Sequence, residues 1–284
     1  MAVPLEPEIV GGDGLSISPF DTAAPCFEHH RAVPDGVAVT VRAAVLAAIG
    51  DTVPPSILDL GAGSGRFGWP FVAAGDDYFA LDLSSGMLRA FAARQTGNHK
   101  ARLVQADGHQ LPFAHAAFDA VLLIAVFGDL SGWRVLVDEA RRVLRPQGVI
   151  AIGRIAAPKN GIDERLKQRL DVLLTERGLR VTRQNHREDA AHHLAAAASK
   201  TVVTAATWMV KRSPQAFLER HAGGARFSRL PREPREEALH ALACWARAHF
   251  GSLNTVFNEI HRFEIEMFGF GKGQAGQCRA TIRC

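Results

Sequence analysis

Long apolar runs are missing from this 284-residue chain. The longest, Ala120 to Phe127, is far shorter than the ~20 residues a membrane helix needs. Cysteine is scarce as well: Cys26, Cys244, Cys278 and Cys284 lie far apart, with no Cys-x-x-Cys pair and no histidine at zinc spacing. That argues against a disulfide framework or a structural metal and for reduced thiols. The segment Met1 to Gly14 has neither the basic start nor the apolar stretch of a secretory signal. A soluble, cytoplasmic protein is therefore expected. A strong charge bias is also absent: the net charge is +4, and the bases are interleaved with acids, as in Arg232-Glu233-Pro234-Arg235-Glu236-Glu237. These read as solvated faces, not as the concentrated basic surface that a nucleic acid requires.

What is present is an ordinary globular composition, 47% hydrophobic and 22% charged. Residues 1–25, rich in proline and glycine, read as an irregular leader. From Val37 onward, apolar residues at 41, 44, 45 and 48 predict a helix preceded by Pro34. Between Ser56 and Arg154 short apolar strands alternate with amphipathic helices. The strands are Ser56–Leu60, Tyr78–Leu81, Arg102–Gln105, Ala120–Ala125 and Val149–Gly153. The helices begin near Gly65, Ser84-Ser85 and Ser131. This alternation predicts a parallel sheet with helices on both faces. Beyond it come helical patterns, a β-branched run at Thr201–Val210, a helix from about Arg235 to His249, and an alternating strand within 259–268. The expected architecture is a Rossmann-like, seven-stranded, mostly parallel α/β sheet with an inserted helical lid. It forms one domain over 26–270, with a core at 50–154, the lid at about 155–250 and a tail at 271–284.

The chemistry concentrates at Asp59-Leu60-Gly61-Ala62-Gly63-Ser64-Gly65, where the first strand of the alternating region ends. Ligands of open α/β sheets bind at that edge, and glycines let them lie against bare amides. Gly63, Gly65 and Gly68, followed by Asp82, also fit a dinucleotide fingerprint. Charge separates the two readings. A pyrophosphate over the loop would be repelled by Asp59, whereas S-adenosyl-L-methionine (SAM) brings an ammonium and a sulfonium that a carboxylate attracts. Asp82 ends the next strand, where a carboxylate accepts ribose hydroxyls, and Asp107 follows the one after, where it can accept from an adenine amino group.

In these residues the chain resembles the class I SAM-dependent methyltransferases, specifically the methyltransferase type 11 group that includes ubiquinone- and menaquinone-biosynthesis enzymes. The likeness rests on 59–65, on Leu81-Asp82-Leu83-Ser84-Ser85-Gly86-Met87-Leu88, and on Ala106-Asp107-Gly108 with Leu111-Pro112-Phe113. Phe118-Asp119-Ala120-Val121 and Glu139 through Gly148 complete it. The resemblance implies that Gly61, Ala62, Gly63 and Gly65 hold the methionine part of SAM and that Asp82 holds the ribose. It places Leu83 and Met87 along the adenine, Asp107 and Gly108 at its edge, and Ile124 and Ala125 near the methionyl end. It puts Arg31, in an N-terminal lid, opposite the cofactor carboxylate. Where many relatives carry a histidine pair, this chain has Val126-Phe127-Gly128-Asp129, without that pair.

The reaction expected is methyl transfer from SAM to a small organic acceptor, leaving S-adenosyl-L-homocysteine. RNA-base methylation and a non-methylating SAM-binding protein are the alternatives. Asp129 and His29 are the candidate catalytic groups, while His30, His192, His193 and His261 are further histidines that lid closure could bring to the cleft. Phe127, Trp133 and Trp208 are candidate pocket walls.

Overall fold

The computed structural model describes residues 9–11, 33–34, 36–50, 54–95, 100–128, 130–179, 185–195, 199–222 and 230–270. Its elements in chain order begin with β1 (Ile9–Gly11), α1 (Val37–Ile49), β2 (Ser56–Leu60), α2 (Trp69–Ala73) and β3 (Asp77–Asp82). There follow α3 (Ser85–Arg94), β4 (Arg102–Gln105), β5 (Phe118–Ile124), α4 (Trp133–Val143) and β6 (Leu144–Ala156). The rest are α5 (Ile162–Glu176), α6 (Arg187–Ala195), β7 (Ser199–Arg212), α7 (Pro214–Ala222), α8 (Arg232–Phe250) and β8 (Phe257–Gly269).

The sheet runs β1-β4-β3-β2-β5-β6-β8-β7, parallel through β6, with β8 and β7 antiparallel. The seven expected strands are all there. Ile9–Gly11, inside the segment read as an irregular leader, adds an eighth by pairing with Leu103–Gln105. Three residues are too few for periodicity to register.

Alternation along the strands builds two cores. Ile57, Ala80, Ala120 and Ala151 face Val37, Val41 and Val45 of α1, together with Phe71 of α2 and Phe91 of α3. Leu58, Leu81, Val121 and Ile150 face Trp133, Leu136, Val137, Ala140 and Val143 of α4, and Ala190 and Leu194 of α6. The central strand β5 is buried at every position but its last, as a strand covered on both faces must be.

The segment expected to form a lid divides. Helix α6 packs on the α4 side of the sheet. Helices α5, α7 and α8 instead form a third core of their own, from Leu166, Leu170, Leu174, Phe217, Ala238, Leu242 and Ala246. Two boundaries also shift. The helix expected to be capped at Ser131 has Gly132 at its N-cap, left-handed with φ 75°. The strand expected to begin at Val149 starts at Leu144, because Phe118 already pairs with Leu144 before a register irregularity.

Because the helical core is separate, its residues should bear on stability like any small core. Leu242→Ala, fully buried, should cost about 2–5 kcal/mol in urea denaturation. Val39→Ala, 59% exposed on α1, should stay within about 0.5 kcal/mol. A silent Leu242→Ala would mean that α8 is not packed as described.

Candidate functional site

At the carboxyl edge of β2 the chain turns back on itself. The amides of Gly61 and Ala62 both donate to the Leu81 carbonyl, at 2.8 and 3.0 Å, which pins the loop to β3. Two glycines show why side chains are excluded. Gly65 is left-handed (φ 81°), and a Cβ there would lie 2.3 Å from the Phe91 ring. Gly63 is also left-handed (φ 57°), yet a Cβ there would meet nothing within 4 Å. The first glycine serves packing. The second leaves bare backbone facing open space, as a ligand cradle requires.

Asp82 ties that cradle together. One carboxylate oxygen accepts from the Gly63 amide and the other from the Ser84 amide, both at 2.8 Å. Ser84 in turn caps α3, its hydroxyl accepting from the Met87 amide at 3.1 Å. The acid at the end of β3 therefore organises both the loop beside it and the helix after it.

Asp59 lies beneath the loop instead of at its open rim. Alternation turns its side chain to the α1 side, where it is 3% exposed and accepts from the Tyr78 hydroxyl at 2.5 Å. Burial pushes its carboxyl up to about 7; the Tyr78 bond pulls the other way, and the charge of Asp82 adds to the rise. The same burial, with the Asp59 charge, raises the Tyr78 phenol.

Across the edge, Asp107 follows β4. Its Oδ1 accepts from the backbone amide of His109 at 2.9 Å and from His109 Nδ1 at 2.6 Å. Burial raises its carboxyl, but the two bonds and the charge of His109 outweigh that and leave it below the usual carboxylate range. Gly108 is closed from behind, since a Cβ would strike Leu136 at 2.4 Å. Leu83 is 39% exposed, whereas Met87 is 2% exposed. After β5, Ala125 is left-handed (φ 58°), its amide donating to Gly153, and Val126 closes over Gly61.

The structure thus brings Gly61, Ala62, Gly63, Gly65, Asp82, Leu83, Met87, Asp107, Gly108, Ile124 and Ala125 to one edge, with Asp59 underneath. Arg31, His29, His30 and Asp129 lie outside the described residues. Phe127 and Trp133 are core residues, at 3% and 8% exposure. His193 reaches Asp138 on the outer side of α4, away from the edge. Trp208 and His261 face each other across β7 and β8. His261 and Glu259 are both buried, with His261 Nε2 3.2 Å from Glu259 Oε2, while Glu259 Oε1 accepts from the Ile162 amide that opens α5. Tyr78, His109 and Glu259 were not singled out as site residues from sequence, because Asp59, Ser131 and the Ile162 amide lie 19, 22 and 97 residues away.

A wide depression of about 760 Å³ opens at the opposite end of the sheet, lined by Asp77, Lys100, Arg102 and Arg145. Its charges already answer one another: Arg102 meets Asp77 at 3.1 Å and Arg145 meets Asp119 at 2.6 Å. It lies away from every residue of the glycine-loop edge.

Residues 58–152 match the family model described as a methyltransferase domain. A demethylmenaquinone methyltransferase of Clavibacter sepedonicus is 35% identical over 117 residues, 41% of this chain and 48% of that protein. A malonyl-[acyl-carrier protein] O-methyltransferase of Methylococcus capsulatus is 36% identical over 124 residues, 41% of this chain and 45% of the other. The chain spans about half the length of the curated relatives it matches. The crystal structure of the YcgJ protein of Bacillus subtilis superposes with a TM-score of 0.56 at 18% identity, covering 83% of this chain and 99% of that one. The segment that matches the methyltransferase-domain model, residues 58–152, carries the glycine loop, Asp82 and Asp107, and the chain shares the fold of the YcgJ protein.

Proposed function

We propose that this chain is a SAM-dependent methyltransferase acting on a small organic acceptor. The observation that carries the reading is the open, left-handed Gly63, held from below by Asp82. A pyrophosphate over that glycine would be repelled by the Asp82 carboxylate bonded to its amide. The residues fit SAM by kind: glycine backbone without side chains beside its methionine part, Asp82 for vicinal hydroxyls, and Asp107 for a purine amino group. Bound SAM supplies a methyl group already activated by its sulfonium.

The work left to the protein is positioning and exclusion of water. The loop pinned to Leu81, with the turn at Ala125 closing over it, fixes the methionyl end of the cofactor, and the turn carrying Asp107 frames the adenine end. The acceptor side lies where β6 ends and α5 and β8 begin, with Trp208 and His261 on its floor. Phe263, two residues along the same face of β8 from His261, packs on Phe67 with ring centroids 4.8 Å apart, just past the glycine loop. The relatives are named for a quinone precursor and a carrier-bound malonyl group, both small acceptors, which agrees with this reading. A soluble cytoplasmic enzyme fits too, since among the described residues no helix is long and apolar enough to cross a membrane.

Two outcomes are expected. Asp82→Ala should weaken S-adenosylhomocysteine binding in calorimetry by at least about tenfold, the scale of losing charge-assisted bonds, while the thermal melt stays cooperative. Unchanged affinity would sink the cofactor assignment. Asp59 supplies the second. Its carboxyl is raised from about 3.9 unfolded to about 7 folded, so the native state holds the proton more tightly. The stability this brings is full below the unfolded value and is lost as pH climbs toward 7. Asp59→Asn, neutral throughout, should therefore gain about 3 °C in Tm relative to wild type between pH 5 and pH 8. The same variant should bind the cofactor more weakly at pH 8. A Tm difference independent of pH would place the titration elsewhere.

A further inference from the structure

His109 joins two loops that belong to different parts of the chain. Its Nδ1 lies 2.6 Å from Asp107 Oδ1 on the loop after β4, and its Nε2 lies 3.0 Å from the Ser131 carbonyl oxygen on the loop before α4. Both partners only accept. A neutral imidazole donates from one nitrogen and turns a lone pair outward at the other, so it would set that lone pair against an oxygen. The imidazolium donates from both. The 2.6 Å separation is that of a charge-assisted bond.

The surroundings are built for this placement. Gly132 is left-handed, and a Cβ there would come within 3.0 Å of His109 Nε2. The His109 backbone amide also donates to Asp107 Oδ1, which fixes how the ring approaches. All these bonds use Oδ1. The Asp107 side chain is 53% exposed, and its Oδ2 has no bond from the described residues, so it is left to accept from a ligand. The other charged groups of the neighbouring elements are engaged elsewhere. Glu139 and Arg142 of α4 pair with each other and hold the far end of the same loop at Leu111 and Phe113. Arg134 lies over the Trp133 ring, and Asp138 meets His193.

We infer that His109, as an imidazolium, is a positioning residue that clasps the two loops on the adenine side of the cofactor site, and that cofactor affinity therefore carries an acid-favoured component. This rests on the reading of the edge as a SAM site. With the ring protonated, the clasp is closed and Asp107 is aimed. With the ring neutral, one contact is lost, and a ligand that needs both loops must bear the cost of ordering them. Asp59, its carboxyl pushed up to about 7, acts with the opposite sign, since its charge grows with pH and favours the ammonium of the ligand. A variant separates the two.

The test is calorimetric binding of S-adenosylhomocysteine to the full chain from about pH 5.5 to about pH 8. Wild type is compared with His109→Phe, which keeps a ring, and His109→Gln, which keeps donors without a titrating charge. At the acid end both variants should bind roughly three- to tenfold more weakly than wild type, the effect of one partly exposed charged contact, and the gap should close as pH rises. A gap that is absent, or constant with pH, overturns the clasp. The reciprocal measurement uses wild type alone: the imidazole resonances of His109 should titrate at higher pH when S-adenosylhomocysteine is bound. An unmoved titration overturns the inference even where variants fold poorly. Binding with no dependence on His109 leaves the cofactor reading standing, whereas no binding by wild type removes the cofactor reading and the clasp together.

Discussion

Under the glycine loop a carboxylate is held away from water with one neutral partner, and much of the surrounding structure follows from that arrangement. Asp59 accepts from the hydroxyl of Tyr78, the chain's single tyrosine. The Tyr78 ring packs between Phe71 and Phe91, with centroids 5.4 and 6.3 Å away. Phe91 in turn leaves no room for a side chain at Gly65, and Tyr78 leaves none at Gly68, where a Cβ would come within 2.6 Å of its hydroxyl. A buried charge with so few bonds is costly, so the group resists ionising. A cation placed above the loop changes that balance, because it stabilises the ionised form that burial opposes. The acid thus trades fold stability for attraction toward a positively charged ligand.

How much of this was legible in the sequence depends on the range of each interaction. Strands β2 to β6 and the helices between them were readable because burial on both faces leaves apolar runs with regular breaks. The late antiparallel strands were readable because alternation survives at an edge. Ile9–Gly11 was not, since its pairing with β4 is decided by a partner ninety residues on. The start of α4 was misplaced by one residue: Ser131 is a good cap by type, but its carbonyl serves His109 and the turn is made by a left-handed Gly132. Site residues divided in the same way. Asp82 and Asp107 stood out by their place at strand ends. That Asp82 binds the Gly63 and Ser84 amides, or that His109 spans 22 residues to Ser131, is a fact of loop geometry that no local pattern encodes.

The match to the methyltransferase-domain model ends at residue 152, where β6 is nearly complete, and the change in physical organisation falls at the same place. Up to there one core face or the other takes every helix. Beyond it, α5, α7 and α8 bury their apolar residues against each other, and the module also meets the sheet through polar groups. Glu259 on β8 accepts from the first amide of α5, a carboxylate at the positive end of a helix. Asp163, in the first turn of α5, takes Arg212 from the end of β7 and Arg220 from α7. A module with its own core can vary its inner surface without disturbing the donor half.

That separation bears on what His261 does. Its ring lies between the aromatic face of Trp208 and the carboxylate of Glu259, one register step beyond the last paired residue of β6. Glu259 is already committed at its other oxygen to the α5 amide, so the histidine cannot turn without loosening the helix that covers it. The pair therefore belongs first to the joint between sheet and module. Its effect is to hold Trp208 and the start of α5 in fixed relation.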